Sequence, residues 1–422
     1  MSEAATASNL AGFHLDYPSP GWIGNKYTLP IQGWIIANQE EPIVVEALCD
    51  AVVLRKSKVH RSRPDVLKRH PDHPHAAVSG FAMMIGLLGL PPQFRIALRA
   101  VMPDGRRVPL AVLEGQHVHL GTDYEYVLRP LLVTMQGRVG SSWFMRLLSE
   151  HPAIVVQPPH FGDPYEGRIA SYWLHMLKVL SEPADHEDST SRVNFTFDRK
   201  WIGHHPFYTS SMVRRPEMEQ WFGRLYPERL AAFSAQTIDE FYLRVAKLAH
   251  KTQPLFFAEK CHAEHVPWIA WGIYPDAKEI FLVRDFRDMI TSILAFNKKR
   301  GYQAFGREQV DSDLAYVDKM RANVEKLRKT WELRADRAYL VKYEDLVKNT
   351  KDTLERVMDY LGIDTDVPKL IEHATASPAM DGHRTVKDSS ASIGRWKQDL
   401  SPDLREACNT GFQDALRAFE YE

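Results

Sequence analysis

Cysteine is scarce in this chain. Its 422 residues hold three, Cys49, Cys261 and Cys408. They are odd in number and far apart, with no C-x-x-C pair. That excludes a disulfide framework or a zinc knuckle and suits a reducing compartment. An excess of one charge is lacking too: 53 Lys and Arg stand against 54 Asp and Glu, a formal net charge of −1. No global basic field favours nucleic acid or an anionic membrane, so any anion site must be a local concentration of cations. Long apolar runs are missing, and no stretch approaches the ~20 residues of a membrane-crossing helix. Residues 1–15 are polar and small, without the basic start and apolar core of a secretory leader. The expectation is a soluble, cytoplasmic protein. The remaining composition, 44% hydrophobic and 25% charged, is that of a globular chain, and the length favours two domains.

Two grammars divide the sequence at about residue 125. In residues 1–125 short apolar segments recur between turn signals, at 28–36, 43–48, 51–54, 94–101 and 108–113. Asp104-Gly105 between the last two is a hairpin signal. No helical period is sustained there. Residues 57–77, rich in Arg, His and Pro, read as a long loop. Its His70, His73 and His75 read as polar surface in preference to metal ligands, because metal sites need a defined structural setting. A small all-β domain, a β-sandwich, fits. It resembles the β-sandwich modules attached to some bacterial glycosyltransferases in Gly33-Trp34, the run Arg63 to Val66, and Gly80-Phe81.

In residues 126–422 strands alternate with helices. Strand-length apolar runs stand at 131–134, 154–156, 256–258, 280–283 and 339–341. Between them lie helical stripes: Ile169, Tyr172, Trp173 and Met176; Ile238, Phe241, Tyr242, Val245 and Leu248; Leu314, Val317, Val324, Leu327 and Trp331; and Leu354, Val357, Met358 and Leu361, stopped by Gly362. The stripes read as core. The alternation predicts an α/β domain with a parallel sheet and ligands at the strand carboxyl ends. Residues 181–216 read as irregular. With Trp201, His204, His205, Phe207 and Tyr208 they have the length of a lid or binding loop.

The apolar run at 131–134 breaks into a glycine turn, Gly137-Arg138-Val139-Gly140, then Ser141, Ser142 and Trp143, with a helical pattern starting at Phe144, Leu147 and Leu148. Strand, turn and helix of this kind aim backbone N–H groups and a positive helix end at one spot, which suits a phosphate. The lysine of the nucleotide-triphosphatase loop, G-x-x-x-x-G-K-[ST], is missing, so the loop fits a phosphate ester and not Mg-ATP. A second segment runs from Ile280 to Ser292. Its strand ends at Arg284, and a helix is expected from around Asp288, with Asp285 as cap and Asp288 as capping-box partner. Arg284, at the strand's carboxyl end, and Ser292, a turn into the helix, offer a charged and a neutral donor to a phosphate monoester.

Arg138-x-Gly140-Ser141-Ser142-Trp143, with Arg284 and Ser292 eight residues apart, resembles the sulfotransferase superfamily, whose donor is 3′-phosphoadenosine 5′-phosphosulfate (PAPS). Three further motifs agree in order: Ala258-Glu259-Lys260, Tyr343-Glu344-Asp345-Leu346 followed by a helix to Tyr360-Leu361-Gly362, and Ile393-Gly394-Arg395-Trp396-Lys397. Together they cover about residues 130–400. The resemblance implies a P-loop-containing parallel sheet flanked by helices, the sulfotransferase fold, behind the small all-β domain. It implies that Arg138, Gly140, Ser141 and Ser142 cradle the 5′-phosphosulfate. Trp143 and Tyr343 would lie near the adenine, Arg284 and Ser292 would bind the 3′-phosphate, and Arg384 or Lys387 would close over it. The carbohydrate branch of the family commonly has arginine at the place of Arg138. An arginine neutralises charge on the leaving phosphate but hardly acts as a general acid, which leaves Lys260 as the mobile charge on the transferring group.

The reaction implied is an in-line displacement at sulfur by an acceptor hydroxyl or amine, with fixed positive donors and no metal. A hydroxyl nucleophile needs a base. His160 matches the family position best, Glu166 is second, and His204, His205 and His262 are alternatives. The acceptor is expected to be a small molecule or glycan, with a saccharide favoured by the β-module, Arg138 and the aromatic segment 201–208; a phenol, lipid or polyketide alcohol is the alternative. Two competing functions are a P-loop kinase of small molecules, which needs the missing lysine, and a non-catalytic glycan- or partner-binding protein, which predicts a degraded phosphate loop.

Overall fold

The computed structural model describes residues 10–38, 44–49, 52–158, 165–182, 216–263, 266–364, 366–375 and 389–422. The chain forms two compact units, residues 1–124 with 174–234, and residues 125–173 with 235–422.

Antiparallel strands build the first unit, with apolar–polar alternation clearest in its last hairpin. Its strands are β1 (Leu10–Tyr17), β2 (Thr28–Ala37), β3 (Val44–Cys49), β4 (Val52–Lys58), β5 (Gly80–Gly86), β6 (Gln93–Val101) and β7 (Arg107–Gln116). All pair antiparallel, in a three-stranded sheet β1-β2-β5 and a four-stranded sheet β4-β3-β6-β7. In β6, Phe94, Ile96, Leu98 and Ala100 are buried while Gln93 and Arg95 are exposed. One core joins Ile31, Ile35 and Phe81 of the first sheet to Val45, Ile96 and Leu110 of the second, so the two sheets form a sandwich. The β6–β7 hairpin turns at Gly105, φ +84°, where the Asp104 carboxylate accepts the Arg106 N–H at 2.9 Å.

Two strands lie outside the sequence reading. β5, Gly-Phe-Ala-Met-Met-Ile-Gly, is buried along nearly its whole length and so shows no alternation. β1 is only partly buried, which blurs its pattern. Residues 57–77 are not one long loop. Ser57 and Lys58 end β4, and Pro64–Arg69 is a short helix with proline in its first turn. The Arg63 guanidinium pairs with Asp16 at 2.5 Å and Asp65 at 2.7 Å, which gives the Arg-Pro-Asp-Val run a structural reason. His70 packs on Trp34 with ring centroids 5.4 Å apart. Among the described residues no three His, Cys, Asp or Glu side chains are grouped to hold a metal ion.

The second unit holds β8 (Arg129–Met135), β9 (Ile154–Val156), β10 (Phe256–Cys261), β11 (Lys278–Val283) and β12 (Ala338–Lys342). They form a parallel sheet in the order β12-β11-β8-β10-β9. Strands buried on both faces carry unbroken apolar runs; the five runs of the sequence are these strands, with β12 at the sheet edge only half-buried. The chain places β9 and β10 on one side of β8 and β11 and β12 on the other. The carboxyl end of β8 is thus the switch point where an open α/β sheet forms its crevice.

Helices cover the sheet. Leu354, Val357, Met358 and Leu361 are buried on the helix Thr350–Leu361, and Gly362, φ +69°, ends it. Other stripes need correction. On the helix Ile169–Ser181 the buried face runs through Ala170, Leu174 and Leu177, while Tyr172 is 57% exposed. Leu248 and Leu314 are also exposed. No helix of the described residues is long and apolar enough to cross a membrane. Trp201, His204, His205, Phe207 and Tyr208 lie outside the described residues.

Candidate active site

β8 delivers the chain to Met135, and the helix Ser141–Glu150 leaves again at once. The five residues between must reverse tightly. Arg138 takes φ +65° and Gly140 φ +83°. Gly140 is the helix N-cap, and with no side chain it leaves the first-turn N–H groups open to a ligand. Close approach also demands glycine. A Cβ on Gly140 would stand 2.4 Å from the Tyr343 ring, and one on Gly137 2.8 Å from Phe305.

The turn opens into a cleft of about 890 Å³, lined by Arg138, Gly140, Ser141, Ser142, Trp143, Glu166, Arg284, Ser292 and Tyr343 among others. Nine positions singled out by sequence are thus brought together. Trp143 also packs against the core beneath, and His262 lines the same cleft. His160, Arg384 and Lys387 lie outside the described residues.

On the β11 side, Arg284 is buried at the strand's end. Its guanidinium donates to the Arg138 carbonyl at 3.2 Å and to the Ser392 carbonyl at 2.7 Å. It lies 4.5 Å over the Tyr343 ring. Its Nε is buried with no hydrogen-bond partner among the described residues, and a buried N–H in that state is costly until an acceptor arrives. Arg138 donates from Nε to Ser292 Oγ at 3.4 Å and stacks 4.3 Å over Phe296. Burial, and then the charge of Arg284, pull the Arg138 guanidinium down to about 10. It stays protonated at neutral pH, but the two like charges make the cleft receptive to an anion.

The helix after β11 starts at Phe286, earlier than expected, which puts Ser292 in its second turn. Asp285 caps it, accepting the Arg287 N–H at 2.9 Å. Asp288 is not a capping-box partner. Its buried carboxylate accepts the N–H of Gly394 at 2.6 Å and of Trp396 at 2.9 Å, and so binds the Ile-Gly-Arg-Trp segment to the site. The Tyr343 and Ser392 hydroxyls share a hydrogen bond of 2.9 Å on the same segment.

On the β10 side, the strand's period of two turns successive side chains to opposite faces. The fully buried Lys260 donates to Ser142 Oγ at 3.1 Å and to Glu166 Oε1 at 2.6 Å. Arg168 donates to Glu166 Oε2 at 3.0 Å. Burial alone would raise the Glu166 carboxyl, but the charges of Lys260 and Arg168 outweigh it and hold the group below its ordinary value. Glu259, one residue earlier, accepts the N–H groups of Ala170 and Ser171 at 2.6 and 2.8 Å, the Ser171 hydroxyl at 2.7 Å and the Tyr242 hydroxyl. It anchors the first turn of the helix Ile169–Ser181.

Sequence reasoning missed Phe296, Ser392 and the true role of Asp288. Phe296 had a signal: four residues beyond Ser292, it lies on the same helical face. The other two act across more than a hundred residues of chain, and nothing local marks them.

Residues 130–367 match the model of the sulfotransferase family, more than half of the chain. Carbohydrate sulfotransferase 1 of Rattus norvegicus and of Homo sapiens is 32% identical over 88 residues, which are 20% of this chain and 21% of those proteins. The match therefore spans about a fifth of the relatives' length. Sulfotransferase STF9 from Mycobacterium avium is 18% identical, with a TM-score of 0.37 over 71% of this chain and 78% of that one. The sulfotransferase domain from the curacin biosynthetic pathway is 14% identical, with a TM-score of 0.38 over 71% and 99%. By the match over residues 130–367, which takes in the glycine turn, Lys260, Arg284, Ser292 and Tyr343, the chain belongs to the sulfotransferase family.

Proposed function

We propose that the protein transfers a sulfuryl group from PAPS to a hydroxyl, or an amine, of an acceptor, with a saccharide or glycoconjugate as the preferred class. One observation carries this reading: two cationic seats flank a single switch point. One is the glycine turn with Arg138, Ser141, Ser142 and Lys260. The other is Arg284 with Ser292, and the buried unpartnered Nε of Arg284 suits a phosphate oxygen. A nucleotide that carries two anionic groups would give one to each seat. Residues 1–125 are proposed as an all-β accessory module.

In the proposed reaction an acceptor oxygen forms the new bond to sulfur as the bond from sulfur to the 5′-phosphate oxygen breaks. The leaving phosphate keeps the electron pair. The open helix N–H groups and Arg138 would stabilise it, and Lys260, already on Ser142, would stabilise the transferring oxygens. No step needs a metal. The acceptor proton goes to a base, proposed as His160. Glu166, held ionised by Lys260 and Arg168, is proposed as the counter-ion that positions Lys260; a carboxylate held so low is a weak base. Trp143 and Tyr343 are assigned to the adenine side, and Arg384 or Lys387 to closure over the 3′-phosphate.

Calorimetry of the purified chain with adenosine 3′,5′-bisphosphate tests the reading, followed by turnover with labelled PAPS. Micromolar binding is expected. Indifference to the bisphosphate would sink the proposal, as would transfer from Mg-ATP in place of PAPS.

A further inference from the structure

The cleft holds cations to which the contacts assigned to the donor give no role. Its described lining includes the cations Arg138, Arg168, Arg284, Arg300 and Lys326 and one carboxylate, Glu166. Glu166 is engaged by Lys260 and Arg168. The proposed donor has two anionic ends, which take Arg138 with Lys260 and Arg284 with Ser292. Arg300 and Lys326 are left over.

Arg300 is placed with purpose. It ends the helix Phe286–Arg300 beside Lys298 and Lys299, where a helix dipole favours basic residues. The dipole does not explain its direction. The Arg300 guanidinium turns back over the Phe296 ring, 4.6 Å from its centroid, the ring that also carries Arg138 at 4.3 Å. Its hydrogen-bond partner is the Tyr302 hydroxyl at 2.6 Å, a neutral group. Its charge adds to that which lowers Arg138. Phe296 and Phe305 meet edge to face at 5.8 Å, and Phe305 lies against Gly137. The wall holding Arg300 therefore abuts the glycine turn. Ser292 and Arg300 are eight residues apart, about 12 Å of helix rise, so one phosphate does not rest on both backbones. Lys326 reaches the cleft from the helix Asp313–Arg334, where the neighbouring Asn323 carbonyl accepts the Gln136 amide at 3.2 Å.

We infer that Arg300 and Lys326 form a third anion seat beside the glycine turn, and that the acceptor is itself an anion, an acidic saccharide held by its carboxylate or ester charge. This rests on the proposed donor. An arginine fork and a lysine ammonium are the usual partners of such groups, and a cleft of one sign draws an oppositely charged acceptor in.

The test uses the full chain saturated with adenosine 3′,5′-bisphosphate at low ionic strength. It is titrated calorimetrically with a tetrasaccharide of alternating glucuronate and N-acetylglucosamine, and with the neutral, carboxyl-reduced form. The acidic form is expected to bind at least about tenfold more tightly. The double variant R300Q/K326Q should erase that difference, with the neutral form and the bisphosphate each unchanged within about twofold. Both side chains are exposed, and an unaltered melting temperature checks folding. Equal binding of the two sugars, or none of the acidic one, overturns the inference. So does a loss of bisphosphate affinity in R300Q/K326Q, which would give these cations to the donor. Failure of the parent chain to bind the bisphosphate refutes the proposed function instead, and is read before any sugar is added.

Discussion

Arg284→Ala removes a guanidinium from the crossing point of three parts of the site. It loses the donated bonds to the Arg138 and Ser392 carbonyls and the face of Tyr343, and with them the buried Nε assigned to the donor's 3′-phosphate. A hydrogen bond to a charged group is worth about 1.5–3 kcal/mol, so the bisphosphate should bind roughly ten- to a hundredfold more weakly. The two orphaned carbonyls should cost a further 1–3 kcal/mol or so of stability. Weak binding alone would not separate direct contact from a slackened turn. The ligand supplies the second cut. Adenosine 5′-phosphate lacks the 3′ group, so Arg284→Ala should weaken it by no more than about threefold. The assay is calorimetry of both proteins with both nucleotides, with thermal unfolding alongside. Equal losses for the two nucleotides would refute the phosphate assignment and make Arg284 a support for the Arg138 turn.

Gly140→Ala pushes a Cβ into the Tyr343 ring at a positive φ; it should cost about 2 kcal/mol or more of stability and abolish nucleotide binding, both readable from a melting curve with and without ligand. Lys260→Met keeps the side chain's volume and removes its charge; kcat should fall by roughly a hundredfold or more with PAPS KM nearly unchanged, and a change confined to KM would contradict the role given to Lys260. Glu166 is held below its ordinary value of 4.5. The stability it adds is therefore fully present above that value and is lost only as pH falls through a lower one. Any acid limb of kcat/KM between pH 5 and 8 thus belongs to another group, and Glu166→Gln should preserve that limb; its disappearance would make Glu166 the base.

The strands of the second unit were legible because each carries a short unbroken apolar run, even where buried charges such as Glu259 and Lys260 follow it. Burial along nearly its whole length hid β5 in the first unit, where glycines bracket a run without alternation. Helix existence was legible and helix rotation less so. On Ile169–Ser181 the large residues suggested one face, yet Glu259 seizes the N–H groups of Ala170 and Ser171. That fixes the rotation from outside the helix, and Tyr172 turns to solvent. A stripe count weighs size and cannot see a carboxylate nearly ninety residues away.

The site shows the same division. The glycine turn, Arg284 and Ser292 could be found because each obeys a local rule: a tight reversal, a strand end, a helical offset. Asp285 and Asp288 obey a local rule as well, the capping box, and there it misleads. Asp285 satisfies the cap alone, which leaves Asp288 free to turn inward to Gly394 and Trp396. A buried carboxylate with no cap to serve must find donors elsewhere. The donors it found carry Ser392, whose carbonyl and hydroxyl hold Arg284 and Tyr343. A chain of fixed contacts thus runs from Asp288 to both the charge and the ring of the β11-side seat. Its geometry depends on a residue that touches no assigned ligand, and the seat should loosen wherever that carboxylate is lost, even with every proposed ligand-binding side chain in place.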